Sequence, residues 1–159
     1  MDDASALTIT LDDPQSPVAR ACLKRYYDEL NARFSHGFDV SLSRDPEARV
    51  MQPPVGAFLI AMRDGYAVGC VGLKGPGPVA EVKRLWIDPD ARGLGIAKAL
   101  MAEVEARAAQ LGIETLRLDT NSALHEALSF YRNAGWREIP RYNANPYAHV
   151  FFEKSLRPR

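Results

Sequence analysis

The feature that most restricts the fold is a change of hydrophobic period near residue 90. Before it, three consecutive segments are spaced as strands. Ala57-Phe58-Leu59-Ile60-Ala61-Met62 is an apolar run, Asp64-Gly65 is a hairpin-turn signature, and Tyr66 to Leu73 returns as the partner. Gly75-Pro76-Gly77-Pro78 turns the chain again, and Val79 to Ile87 forms a third strand, so an antiparallel meander is expected. After it, Leu94, Ala97, Met101, Val104, Ala108 and Leu111 step by three and four residues. That spacing predicts one apolar face of a helix of about five turns, stopped by Gly112.

The flanks extend the pattern. Leu7 to Leu11 alternates apolar and polar residues and reads as a short strand. Ser16-Pro17 opens a helix that runs to Phe34, with Leu23, Tyr26, Tyr27 and Leu30 at helical spacing. Arg44 to Met51 is a second short helix, stopped by Pro53-Pro54. Glu114 to Asp119 is a strand and Ala123 to Ala134 a helix ended by Gly135, with Leu124, Leu128 and Tyr131 on one face. Trp136 to Ile139 and Ala148 to Leu156 close the chain as strands. The expected architecture is α+β: a mixed, mainly antiparallel sheet flanked by helices in three layers. The 159 residues are expected to form one domain with its core between residues 7 and 156.

Charge narrows the function classes. Lys plus Arg and Asp plus Glu number 20 each, which leaves no electrostatic footprint for nucleic acid or an anionic membrane. Cys22 and Cys70 make no disulfide framework and no metal-ligand spacing, so both are expected to be buried small hydrophobes. His36, His125 and His149 form no metal set by spacing. The N-terminus lacks the basic start and apolar run of a signal peptide, and no stretch has a membrane span's length, so a cytoplasmic protein is expected.

The chemistry concentrates at the switch of period. Asp88-Pro89 ends a strand, and Arg92-Gly93-Leu94-Gly95-Ile96-Ala97 opens the long helix. A helix start offers free N–H groups and the positive end of the dipole, and glycines let the backbone approach an anion, so this junction suits a phosphate. Arg92 adds a charged donor. A dinucleotide G-x-G-x-x-G fails, because Lys98 stands where a small residue is needed. The nucleotide loop G-x-x-x-x-G-K-[ST] is absent from the sequence. R-x-x-G-x-A is matched by Arg92, Gly95 and Ala97. The preceding strand carries its own hint: Leu85 and Ile87 share a parity that Val82 breaks, which a bulge between Val82 and Leu85 would repair. Burial on both faces, where no alternation is required, would also account for it.

Here the chain resembles the GNAT superfamily of N-acetyltransferases. The resemblance runs from about Leu7 to Leu156 and is strongest over Val82-Lys83-Arg84-Leu85-Trp86-Ile87-Asp88-Pro89-Asp90-Ala91-Arg92-Gly93-Leu94-Gly95-Ile96-Ala97. A second part is Asn121 with Ala127-Leu128-Ser129-Phe130-Tyr131-Arg132-Asn133-Ala134-Gly135-Trp136, and the tail Tyr142 to His149 resembles one bacterial subgroup. The resemblance implies acetyl-CoA as cosubstrate and no metal. Its pyrophosphate would rest on the amides of Arg92, Gly93, Leu94, Gly95, Ile96, Ala97 and Lys98. Its pantetheine arm would pair with the strand around Leu85, Trp86 and Ile87, in a gap facing Glu114–Asp119.

The resemblance also implies roles. Tyr131 would protonate the leaving thiolate; by spacing alone it is one more residue of an apolar helix face. Glu81, at the start of the central strand, would take the amine proton; otherwise it is a solvated strand-end carboxylate. Asn121 would bond the pantetheine arm or cap the next helix. A backbone N–H near Leu85 would polarise the thioester carbonyl. From the residues themselves, Phe34, Phe38, Tyr142, Asn143, Asn145, Tyr147 and His149 could line the pocket of the acceptor, a small-molecule or peptide amine, or could equally cover an ordinary sheet edge. A monomer and a homodimer are both open. A non-catalytic acyl-CoA sensor with the same cleft is the alternative function.

Overall fold

The computed structural model describes residues 7–39 and 49–156. In chain order it has β1 (Thr8–Asp12), α1 (Pro17–Arg33), β2 (Ala57–Arg63), β3 (Tyr66–Lys74), β4 (Val79–Ile87) and α2 (Ile96–Gln110). Then follow β5 (Thr115–Thr120), α3 (His125–Asn133), β6 (Arg137–Ile139) and β7 (Val150–Ser155). Arg44 to Met51 lies largely outside the described residues; Arg49 and Val50, from its end, form a turn.

The strands make one seven-stranded sheet in the order β1-β2-β3-β4-β5-β7-β6. All neighbours are antiparallel except β4 and β5. Leu59, Ala61, Val71 and Leu73 face Leu100, Val104 and Ala108 of α2 together with Tyr131 of α3. Phe58, Ile60, Cys70 and Trp86 face Ala19, Cys22 and Leu23 of α1. Helices therefore cover both faces, which is why β2 and β3 read as continuous apolar runs instead of alternating ones. Cys22 and Cys70 are buried and free.

Local signals explain the element ends. Ser16 Oγ accepts from the amide of Ala19 at 3.1 Å and Pro17 follows, so α1 starts where its cap and ring dictate. Two boundaries move. The expected apolar stripe on α2 included Leu94 and Leu111, which are 56% and 44% exposed. Gly95 adopts φ 79° as the N-cap and the helix starts at Ile96, two residues after Leu94, leaving Leu94 in the loop, while Leu111 is the C-cap. The buried stripe is instead Ile96, Leu100, Met101, Val104 and Ala108. Helix α3 starts at His125 rather than Ala123, because Asn121 Oδ1 takes the Ala123 amide at 2.8 Å.

The parity break in β4 is a bulge. Gly72 pairs with Lys83 and Cys70 with Trp86, so β4 carries one residue more than β3 between these pairs. Arg84, at φ 61°, absorbs it. Beyond the bulge, Trp86 faces α1 while Leu85 and Ile87 pack with the α2 side.

Candidate active site

Strands β4 and β5 pair only through Val79–Thr115, Ala80–Leu116 and Glu81–Arg117. β5 then follows β7 as far as Thr120–Val150. From Val82 onward β4 has no strand partner on that side among the described residues. A fork results, with a cavity of about 410 Å³ beside it. Its walls include Glu81, Lys83 and Leu85 from β4, Asp119 from β5, and Leu124 and Tyr131 from the α3 side.

Beyond β4 the chain forms an open turn with exposed main-chain amides. Asp88 Oδ1 accepts from the Asp90 amide at 2.9 Å and caps a single 3-10 turn, Pro89–Ala91. Gly93 and Gly95 hold φ 84° and 79°, a region that favours glycine. A Cβ on either would meet nothing within 4 Å, so the loop lies open. No amide from Arg92 to Lys98 has a hydrogen-bond partner among the described residues; the first helical bond is Ala99 N to Gly95 O at 3.1 Å. No acidic residue stands in the first turn of this 15-residue helix to oppose an anion. Ile96 is buried and Lys98 exposed, so what this turn shares is its N–H groups. These features fit a diphosphate.

The guanidinium of Arg92 departs from the expectation. Its Nη2 donates to both carboxylate oxygens of Glu29 at 2.8 Å, and its Nε donates to the carbonyl of Ile87 at 3.2 Å. It is an ion-paired bridge to α1, held away from the free-donor role assigned to it. Trp86 departs too. Its ring is 3% exposed and packs under Arg25, whose guanidinium lies 4.6 Å from the ring centroid. The bulge turns this side chain away from the cavity, so Trp86 can offer the open edge only its backbone.

Tyr131 lines the cavity at 6% exposure, against Trp136 and Phe152. Burial, and then the charge of Asp119, push its phenol above the ordinary value of 10.0, so it stays a protonated donor. Glu81 sits on the last ladder pair before the fork opens. Its Oε2 accepts from the hydroxyl of Tyr142 at 2.8 Å and lies 3.4 Å from Lys83 Nζ.

The model of the acetyltransferase (GNAT) family matches residues 23–136. This chain belongs to that family. An IAA acetyltransferase of Azospirillum brasilense is 31% identical over 140 residues, 84% of this chain and 86% of that one. An uncharacterized N-acetyltransferase of Schizosaccharomyces pombe is 35% identical over 104 residues, 63% of each chain, so this chain spans less than two thirds of that relative. Among solved structures, a GNAT acetyltransferase of Staphylococcus aureus superposes with TM-score 0.82 at 21% identity, covering 96% of this chain and 100% of that one. The PaiA N-acetyltransferase of Thermoplasma acidophilum, solved in complex with coenzyme A, gives 0.67 at 22% identity, covering 94% and 99%. The fold is thus that of the GNAT family.

Within this GNAT frame the remaining expectations divide. Asn121 is buried, and both ends of its amide are used: Oδ1 takes the Ala123 amide, and Nδ2 donates to the Tyr147 carbonyl at 2.8 Å. Asn121 thus closes a turn ahead of α3, whose N-cap Leu124 receives no side-chain bond, and ties the tail to the end of β5. His149 is exposed and faces Ser122, with Oγ and Nδ1 2.8 Å apart, rather than the cavity. The adjacent residue Ala148 is the buried one, so the ring takes the outer side. Phe38, Asn143, Asn145 and Tyr147 do line the cavity, while Phe34 stacks on Tyr147 from behind. Sequence reading missed Asp119 and Lys83. Lys83 Nζ donates to Asp119 Oδ2 at 2.8 Å, and Asn143 Nδ2 reaches the same oxygen at 2.6 Å. Their signal was an opposite charge pair on two strands that had already been placed side by side. Among the described residues no group of three or more His, Cys, Asp or Glu could hold a metal ion, and no helix is long and apolar enough to cross a membrane.

Proposed function

We propose that this GNAT protein transfers an acetyl group from acetyl-CoA to a primary amine of a small molecule or peptide by direct attack. The observation that supports this most is the continuity of the open β4 edge with the unpartnered amides of Arg92–Lys98. That path suits an extended arm carrying amides and ending in a diphosphate. Acetyl-CoA supplies an acetyl thioester, already activated toward amines.

The chain's own residues do the rest. The amides at the start of α2 bind the diphosphate, and Leu85 and Ile87 present main-chain groups to the arm. An N–H near Leu85 polarises the carbonyl at the bulge. Glu81 receives the amine proton at the fork. Tyr131, kept protonated by its buried site, delivers a proton to the departing sulfur. No enzyme nucleophile is required, because the amine attacks the thioester itself. We place the reaction in the cytoplasm, in keeping with two free thiols.

Two measurements test the proposal. Acetyl-CoA should raise the melting temperature in a concentration-dependent way, whereas ATP and NAD should not, since only a ligand of the folded state stabilises it. Thiol release from acetyl-CoA, followed across a panel of amines, should exceed the amine-free rate with at least one of them. Stabilisation without release from any amine would indicate a sensor. No stabilisation would end the proposal.

A further inference from the structure

The acceptor side of the cavity has two unlike walls. One is polar: Glu81, Lys83, Asp119, Asn143 and Asn145. These groups satisfy one another. Asp119 accepts from Lys83, Asn143 and Asn145, and Glu81 accepts from Tyr142. The other wall is four aromatic rings: Tyr26 and Tyr27 from α1, Phe38 from the segment after it, and Tyr147 from the tail. The four form a chain of ring contacts. Tyr26 and Tyr27 lie 5.6 Å apart, Tyr27 and Phe38 are stacked at 5.5 Å, and Phe38 and Tyr147 are 4.7 Å apart.

This wall is held in place. The hydroxyl oxygen of Tyr147 accepts from the Asp39 amide at 2.8 Å, its own amide donates to Asn145 Oδ1 at 3.0 Å, and its carbonyl accepts from Asn121. Phe34 stacks behind it at 5.7 Å. The amide of Phe38 donates to Asn31 Oδ1 at 3.0 Å. The four rings are only partly buried, although they pack against one another. All four also line the cavity.

Resting on the proposed acetyl transfer, we propose that the acceptor is a primary amine carrying a flat aromatic group, seated on the Tyr26-Tyr27-Phe38-Tyr147 wall. Its nitrogen would then reach the polar wall at the fork, where Glu81 and Tyr131 stand. A wall of π faces discriminates by shape and quadrupole as well as by area. Ring-on-ring contacts in stacked or edge-to-face geometry are favourable beyond the apolar surface they bury. A saturated ring of equal carbon number buries more apolar surface and gains no such contact. The comparison of phenethylamine with 2-cyclohexylethylamine separates these effects, because area alone favours the second.

The experiment has a binding arm and a turnover arm on the full-length protein. In calorimetry with coenzyme A present, phenethylamine should bind at least about tenfold more tightly than 2-cyclohexylethylamine. With acetyl-CoA, the ratio of their kcat/KM values should favour phenethylamine by the same factor. In Phe38→Leu, which keeps an apolar side chain of similar volume, that ratio should fall toward one. Equal binding of the two amines, binding of neither, or an unchanged ratio in Phe38→Leu would overturn the inference. The acetyl-transfer reading fails separately, on loss of acetyl-CoA binding or of thiol release with every amine.

Discussion

The two sides of the central cleft are built from different materials. The proposed cofactor side is backbone: an unpaired strand edge, two glycines with positive φ and a row of amides at a helix start. The proposed acceptor side is side chain: rings from α1 and the tail, and charges from β4 and β5 joined through Asn143 and Asn145. A backbone site depends on a few residues that permit a conformation. A side-chain site depends on many that fill a volume. Damage to the first should therefore be severe and local, and damage to the second graded and specific to the acceptor.

The sharpest way to break this contrast is Gly95→Glu. Gly95 holds φ 79°, and a Cβ there points into open space at the proposed diphosphate seat. The substitution adds backbone strain and an anion in one step. We expect acetyl-CoA affinity to fall at least about 100-fold, near 3 kcal/mol, in calorimetry, with the native circular dichroism spectrum retained. Unchanged affinity would mean that the diphosphate binds elsewhere.

Next in size is Tyr131→Phe. The ring stays packed against Trp136 and Phe152, and only the hydroxyl is lost. Loss of a general acid costs about 100-fold in kcat, while acetyl-CoA affinity should hardly change. The pH profile sharpens the test. Burial and Asp119 raise the phenol's pKa above 10.0, so the acid form persists through that pH. Ionisation of Tyr131 should therefore leave kcat level up to pH 10, and a fall below that point that vanishes in the Phe variant would contradict its protonated role.

Glu81→Gln should cost less, about tenfold in kcat. Its carboxylate already accepts from Tyr142 and faces Lys74 at 3.8 Å and Lys83 at 3.4 Å, so its oxygens are shared with partners already in place. Because Gln can keep the Tyr142 hydrogen bond, the acceptor KM should move little. A large KM change with kcat intact would make Glu81 a binding residue, and the proton would leave by another route.

The same contrast explains what was legible in the sequence. A parity break and a switch of hydrophobic period are local signals, so the bulge near Arg84 and the loop-to-helix junction after β4 could be anticipated from the residues, whereas the fork was expected only from the family resemblance. The order β5-β7-β6 and the meeting of Tyr147 with Phe38 arise from long-range packing, which no local period encodes. Side-chain direction was least legible. Trp86 lies in the motif but points away from the cleft, because one inserted residue reverses which face each neighbour takes. Asn121 and His149 likewise stand next to the cavity yet bond the tail and Ser122 instead, a choice set by partners 26 and 27 residues away.

Arg92 tests the contrast most finely, being a side chain within the backbone-built half. Its guanidinium is held by Glu29, which also pairs with Arg33 at 3.2 Å, and Arg33 in turn holds Glu126 at 2.7 Å. A diphosphate on the nearby amides would have to compete with Glu29 for this cation. In Glu29→Gln that competitor becomes neutral, and we expect acetyl-CoA to bind about threefold more tightly, the scale of a partly exposed ion pair. The gain should shrink as salt is added, because an interaction of this kind is screened. If affinity is instead unchanged at every salt concentration, Arg92 remains on α1 in the complex and the amides of Gly93 to Lys98 hold the diphosphate without it.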